Sequence, residues 1–401
     1  MTLKWVKQCS GKSLFKYKAI KKAPMRVTCD IFCDVVDNFG DIGVTWRLAK
    51  QLVAEHDQHV RLWVNNLTAF CQLCPEADEN VPVQSRSGVE VHFWPKIWVP
   101  SQPADLVIEA FGCELPQPYI DAMATRTKPS LWLNLEYLSA EDWVNGCHCL
   151  PSLQPKGLKK HFFFPGFTPQ TGGLLREKDL LTQRMRFQQD ADAQCEFLSQ
   201  YGVTPHPNAV LISLFAYENP ALPSWLEALS KSSTLVQLLV PVGRVLSNLK
   251  HWLNLKTLTS GDIIVRGALT INVIPFMSQE DYDRLLWLCD FNIVRGEDSF
   301  VRAQWAGRPF LWHIYPQQEN THLDKLEAFM TLYCAGLEST TINTLRQLWL
   351  AWNNGENLFH QWEDLVAVWP TLERHAEQWC EQQSTQTNLA SAIAQFYQTS
   401  V

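Results

Sequence analysis

No stretch of this chain reaches the roughly 18 to 20 consecutive apolar residues that a membrane-spanning helix needs, so no membrane partner is expected. The N-terminal residues carry lysines but no apolar segment long enough for a secretory leader, which makes the cytoplasm the expected location. Basic charge is in deficit, 34 Lys and Arg against 41 Asp and Glu. A net charge of −7 gives no global attraction to nucleic acid or to an anionic surface, and suits a cationic group better. No Gly-x-Gly-x-x-Gly follows the first strand, which argues against a nicotinamide or S-adenosylmethionine enzyme. The eleven histidines form no cluster, and no motif flanks a Ser–His–Asp or Cys–His arrangement.

Twelve cysteines are present, but Cys71-x-x-Cys74 and Cys147-His148-Cys149 lie far apart without zinc-finger spacing. Scattered reduced thiols are the expectation for a cytosolic chain. At 401 residues the chain suggests two domains, each able to bury a core. Residues 1–24 carry seven lysines and no acid, and read as an appended or disordered segment.

A β-branched run from Val27 to Val36 then reads as a buried strand that stops at Asp37-Asn38-Phe39-Gly40-Asp41. Helical spacing follows at Val44, Leu48 and Leu52. Two acids four residues apart on such a turn can face one crevice of an open α/β sheet. Strand signals alternate with helices at 60–64, 89–94, 106–110, 131–135 and 162–167. After a polar stretch they resume at 209–215, 235–241, 271–276, 291–294 and 310–314, and the last sixty residues read as helical. Alternation of this kind predicts parallel, doubly wound sheets.

The expected fold is α/β, with two Rossmann-like domains facing a central cleft and a helical C-terminal tail, the arrangement of GT-B glycosyltransferases. The expected boundaries are 25–175 for an acceptor-binding domain completed by a helix at about 385–401, 176–207 for a linker with one helix, and 208–384 for a nucleotide-sugar domain.

The second half carries its own turn, Arg295-Gly296-Glu297-Asp298-Ser299, between a strand and a helix. Asp298 or Ser299 is expected to cap that helix. Helix-terminal amides and Arg295 together suit a diphosphate, which Glu297 could not favourably face.

Asp37-Asn-Phe-Gly-Asp41-Ile-Gly-Val-Thr-Trp-Arg, His161-Phe-Phe-Phe-Pro-Gly-Phe-Thr, Phe215-Ala-Tyr217, Pro275-Phe276 with Gln279, and Arg295-Gly-Glu-Asp-Ser299 resemble, in order, the elongation factor P arginine rhamnosyltransferases, the EarP family. The resemblance runs from about Met25 to the C-terminus and implies a GT-B enzyme. Such an enzyme moves L-rhamnose, with inversion, from dTDP-β-L-rhamnose to one arginine of translation elongation factor P, which then relieves ribosome stalling at polyproline. It further implies catalytic acids at Asp37, Asp41 and Glu297. The implied donor set is Phe215, Tyr217, Phe276, Gln279, Arg295, Asp298 and Ser299, joined by Asn38, Phe39, Gly40 and Glu297. No metal or cofactor besides the donor is implied.

The residue types suit that chemistry. A guanidinium is a poor nucleophile, and carboxylates that orient it could take its proton as the C–N bond forms. The aromatic residues suit stacking on thymine, and Gln279 suits a base edge. Plainer readings stand beside these: Asp41 as a helix cap, Asp37 as a turn former, Phe215 and Phe276 as core, and Arg295 with Glu297 or Asp298 as a surface ion pair. A GT-B enzyme with another donor or acceptor, or a non-catalytic nucleotide-sugar sensor, also remains open.

Overall fold

The computed structural model describes residues 26–36 and 39–401; the segment 1–24 lies outside them. The first half builds an eight-stranded sheet from β1 (Thr28–Cys33), β2 (His59–Val64), β3 (Val83–Arg86), β4 (Val89–Phe93), β5 (Leu106–Ala110), β6 (Leu131–Leu135), β7 (Pro151–Leu153) and β8 (Lys159–Phe163). Their order is β3-β4-β2-β1-β5-β6-β8-β7. β5 and β6 are buried at every position, because helices cover both faces of a parallel sheet, and they are apolar except at Glu109 and Asn134. The covering helices are α1 (Gly40–His56), α2 (Leu67–Leu73), α3 (Gln117–Ala124) and α4 (Trp143–Cys147).

The linker region holds two helices, α5 (Leu180–Gln189) and α6 (Ala191–Gln200), where one was expected. Asp190 separates them: it leaves helical geometry and its carboxylate accepts from the Ala193 amide at 3.0 Å, starting a second helix.

The second half forms a six-stranded sheet of β9 (Val210–Leu214), β10 (Val236–Pro241), β11 (Ile263–Arg266), β12 (Leu269–Ile274), β13 (Phe291–Arg295) and β14 (Phe310–His313), ordered β11-β12-β10-β9-β13-β14. Around it lie α7 (Leu222–Lys231), α8 (Leu246–Leu253), α9 (Gln279–Leu288), α10 (Asp298–Ala306), α11 (Thr321–Tyr333), α12 (Ser339–Asn354), α13 (Gln361–Ala367) and α14 (Trp369–Ser384). The last helix, α15 (Leu389–Ser400), returns to the first half, where Leu389, Ala390, Ile393 and Tyr397 join its core beside α1.

The pairings are parallel except at β3–β4, β7–β8 and β11–β12, three antiparallel edge hairpins whose short outer strands had not been expected. In each sheet the connections reverse direction beside the first strand, between β1 and β5 and between β9 and β13. Such switch points open crevices beyond the strand C-termini, where ligands bind in open α/β sheets. The turn after β1, the segment after β9 and the turn after β13 all leave from these two places.

Candidate active site

Asp37 and Asn38 lie outside the described residues, so the turn is followed from Phe39. Phe39 stands at the N-cap of α1, and Asp41 sits in the first turn of the helix, only 2 % exposed. Among the described residues its carboxylate does not cap the helix. It accepts from the Val36 amide at 2.9 Å and from the Tyr137 hydroxyl at 3.2 Å. Burial, then the charges of Asp41 and Glu297, push the Tyr137 phenol well above its ordinary range, so it stays protonated and donating. The positive end of α1 favours negative charge at Asp41.

Glu297 comes from the other half. Gly296, at φ +62°, makes the tight turn after β13 that a side chain would resist, and Glu297 occupies the N-cap position of α10. It makes no cap either: its Oε2 accepts from the Leu138 amide of the first half at 2.9 Å. Burial pushes its carboxyl up to about 8; the Leu138 amide and Lys325 pull it down, whereas Asp41 and Asp298 raise it. At neutral pH Glu297 is therefore largely a neutral acid. Asp41, Glu297, Tyr137 and Lys325 line one pocket of about 140 Å³.

A second pocket adjoins it, sharing Gly40 and Gly296, and collects most of the expected donor set: Phe39, Phe215, Phe276, Gln279, Arg295, Asp298 and Ser299. The guanidinium of Arg295 lies over the rings of Phe215 at 4.7 Å, Tyr217 at 4.6 Å and Phe39 at 5.9 Å. Tyr217 is buried behind Arg295, between it and the rings of His313 and Tyr315, and does not line the pocket. Phe39 and Phe276 meet across the cleft with ring centroids 4.9 Å apart. The space left is about 50 Å³. Sites for drug-sized ligands measure ~300–1,000 Å³, so a nucleotide sugar requires these rings to part.

Neither expected cap of α10 is one. Asp298 pairs with Nε of Arg47 at 2.8 Å, and the Ser299 hydroxyl donates to the Arg295 carbonyl. The first-turn amides of a helix have no carbonyl of their own helix to meet, so those of α10 suit an anion. Gln279 donates through Nε2 to the Gly43 carbonyl at 3.1 Å, while its Oε1 is buried with no hydrogen-bond partner among the described residues.

Sequence reasoning missed Tyr137, Lys325, Tyr282, which also lines the second pocket, and Arg47. The first three stand in no motif. Arg47 closes the first motif, but helical spacing alone does not say what it meets. Among the described residues, no group of three or more His, Cys, Asp or Glu is placed to hold a metal ion, the cysteines are free thiols, and no helix is long and apolar enough to cross a membrane.

The family model for the elongation factor P (EF-P) rhamnosyltransferase EarP matches residues 29–398. The protein-arginine rhamnosyltransferase of Pseudomonas aeruginosa is 59% identical over 368 residues, 92% of this chain and 98% of that protein. That of Neisseria meningitidis serogroup B is 39% identical over 355 residues, 88% and 90% respectively. A solved structure concerned with EarP-mediated arginine glycosylation of EF-P superposes with a TM-score of 0.69 at 43% identity, covering 94% of this chain and all of that one. MurG of Acinetobacter baumannii superposes at 0.51 with 14% identity over 93% and 99%, a likeness of fold alone.

Proposed function

The chain belongs to the EarP family of EF-P rhamnosyltransferases, and on that footing we propose that it transfers L-rhamnose from dTDP-β-L-rhamnose to one arginine of EF-P, with inversion. The observation that carries this reading is the pairing of Asp41 and Glu297, acids from opposite halves lining one pocket beside the aromatic and arginine cluster.

In this reading the acceptor guanidinium enters the acid pocket. One of its nitrogens attacks the anomeric carbon, and the bond to the diphosphate oxygen breaks with its electron pair leaving on dTDP. The proton lost by the nitrogen passes to a carboxylate. Asp41, held by Val36 and Tyr137, is the oriented acceptor; Glu297, raised to about 8, ionises when the cation arrives and adds the second negative charge. The amides of α10 and Arg295 meet the diphosphate, so the scheme calls for no metal ion or further cofactor, and turnover should survive a chelator. Gln279 Oε1 accepts from the imide N–H of thymine, and Phe276 and Phe215 cover the nucleoside faces. EF-P serves the ribosome, which makes the cytoplasm the expected location.

The deciding experiment incubates purified chain with EF-P and dTDP-β-L-rhamnose and seeks one added deoxyhexose on arginine by mass spectrometry. An unmodified factor, or equal transfer from other nucleotide sugars, overturns the acceptor or the donor assignment respectively.

A further inference from the structure

Arg47 is 2 % exposed, six residues after Asp41 on α1. A charge so placed is tolerable only if it is paired. Its partners all lie beyond the first sheet. Two nitrogens of the fork meet both oxygens of Asp283 on α9 at 3.1 Å, and one of them also donates to the Gln279 carbonyl at 3.2 Å. Nε meets Asp298 at the start of α10 at 2.8 Å, and Glu177 lies 3.6 Å away. Asp283 is also held by Arg302 of α10, at 2.8 and 2.6 Å, and Arg302 reaches Glu177 at 2.7 Å. The same seam brings the Gln279 side chain onto the Gly43 carbonyl, and α1 so close to α10 that a Cβ on Gly43 would stand 3.3 Å from Asp298.

We infer that Arg47 is a positioning residue that sets the register between the two halves, and with it the placement of Asp41 against Glu297. The geometry is specific to that task. α1 carries Asp41 in its first turn, α10 starts directly after Glu297, and α9 starts at Gln279. The one planar guanidinium that α1 carries contacts both α9 and α10, where an ammonium would offer a single point of attachment. Arg302 keeps Asp283 paired within the second half, so removing Arg47 loosens the join between halves rather than the second core. The inference rests on the transferase reading for its kinetic arm only.

The test compares the full chain with Arg47→Met and Arg47→Lys, well below their melting temperatures. X-ray scattering of the ligand-free proteins reads the register directly: a broader pair-distance distribution is expected for Arg47→Met, with Arg47→Lys between it and wild type. In the transfer assay, kcat of the folded Arg47→Met protein should fall by about 10²-fold, the scale of an ångström-sized misplacement, and the pH profile of kcat should shift as Glu297 becomes hydrated. A folded Arg47→Met protein with wild-type scattering, kcat within threefold and an unmoved pH profile overturns the inference. If Arg47→Met does not fold, Arg47→Lys carries the same comparison. If wild type transfers nothing to EF-P, the functional reading has failed, and scattering still decides the register.

Discussion

The Tyr137 hydroxyl donates to Asp41 at 3.2 Å, joining the segment after β6 to the first turn of α1. The phenol stays protonated, so it orients the carboxylate and does not compete for the proton that Asp41 is proposed to take.

Asp41→Asn keeps an oxygen that can accept from Val36 or Tyr137, so the fold should survive. It removes the charge and the basicity, and turnover should drop about 10²-fold or more, the usual scale for a general base. Affinity for dTDP should hold, because the donor cluster belongs mainly to the second half. Near-normal turnover would leave Asp41 a structural acceptor.

Glu297 makes stability depend on pH with a definite sign. Its folded carboxyl holds a proton up to about pH 8, against an ordinary value of 4.5. Between those values the folded state binds more protons than the unfolded state, so the stability Glu297 contributes, complete below the lower value, is lost as pH rises through the window. Glu297→Gln lacks this slope. Relative to wild type, the Gln variant should gain in Tm from pH 5 to pH 8. Parallel melting curves would show that Glu297 is not raised.

Because its carboxyl starts protonated, capture of a guanidinium beside Glu297 should release a proton near pH 7. Calorimetry of EF-P binding in buffers of different ionisation enthalpy measures that proton. A buffer-independent heat, or the same release with Glu297→Gln, would remove Glu297 from the event.

Arg295→Ala should weaken dTDP and dTDP-rhamnose alike by about 10-fold or more, the range of a hydrogen bond to a charged group. Phe276→Ala should weaken dTDP while keeping Tm near wild type, since its ring is half-buried and meets Phe39 across the cleft. A collapse of Tm with unchanged affinity would make Phe276 a core residue.

Gly→Ala inside a helix ordinarily stabilises by about 1 kcal/mol. At Gly43 the new methyl meets Asp298 at 3.3 Å, and Arg47 and Gln279 hold that carboxylate in place. Gly43→Ala should therefore lower Tm. A rise would show that α10 yields freely against α1.

Local pattern determined much of this protein. Largely apolar runs at Leu106–Ala110 and Leu131–Leu135, each broken by one polar residue, specify buried parallel strands, because period and burial are properties of a few neighbouring residues. The order of five motifs likewise carried the family. Short polar-edged strands such as Val83–Arg86 and Pro151–Leu153 have no such pattern and exist because a neighbouring strand offers its edge. Tertiary structure alone decided what the acids do. Asp298 looked like a helix cap and became a partner of Arg47, and Arg47 reaches Asp283 across 236 residues. Glu297 owes its neutrality at pH 7 to burial between two halves, which the charge of Asp41 reinforces and the Leu138 amide only partly offsets. Electrostatic environment is set by distances in space, and no spacing along the chain encodes it.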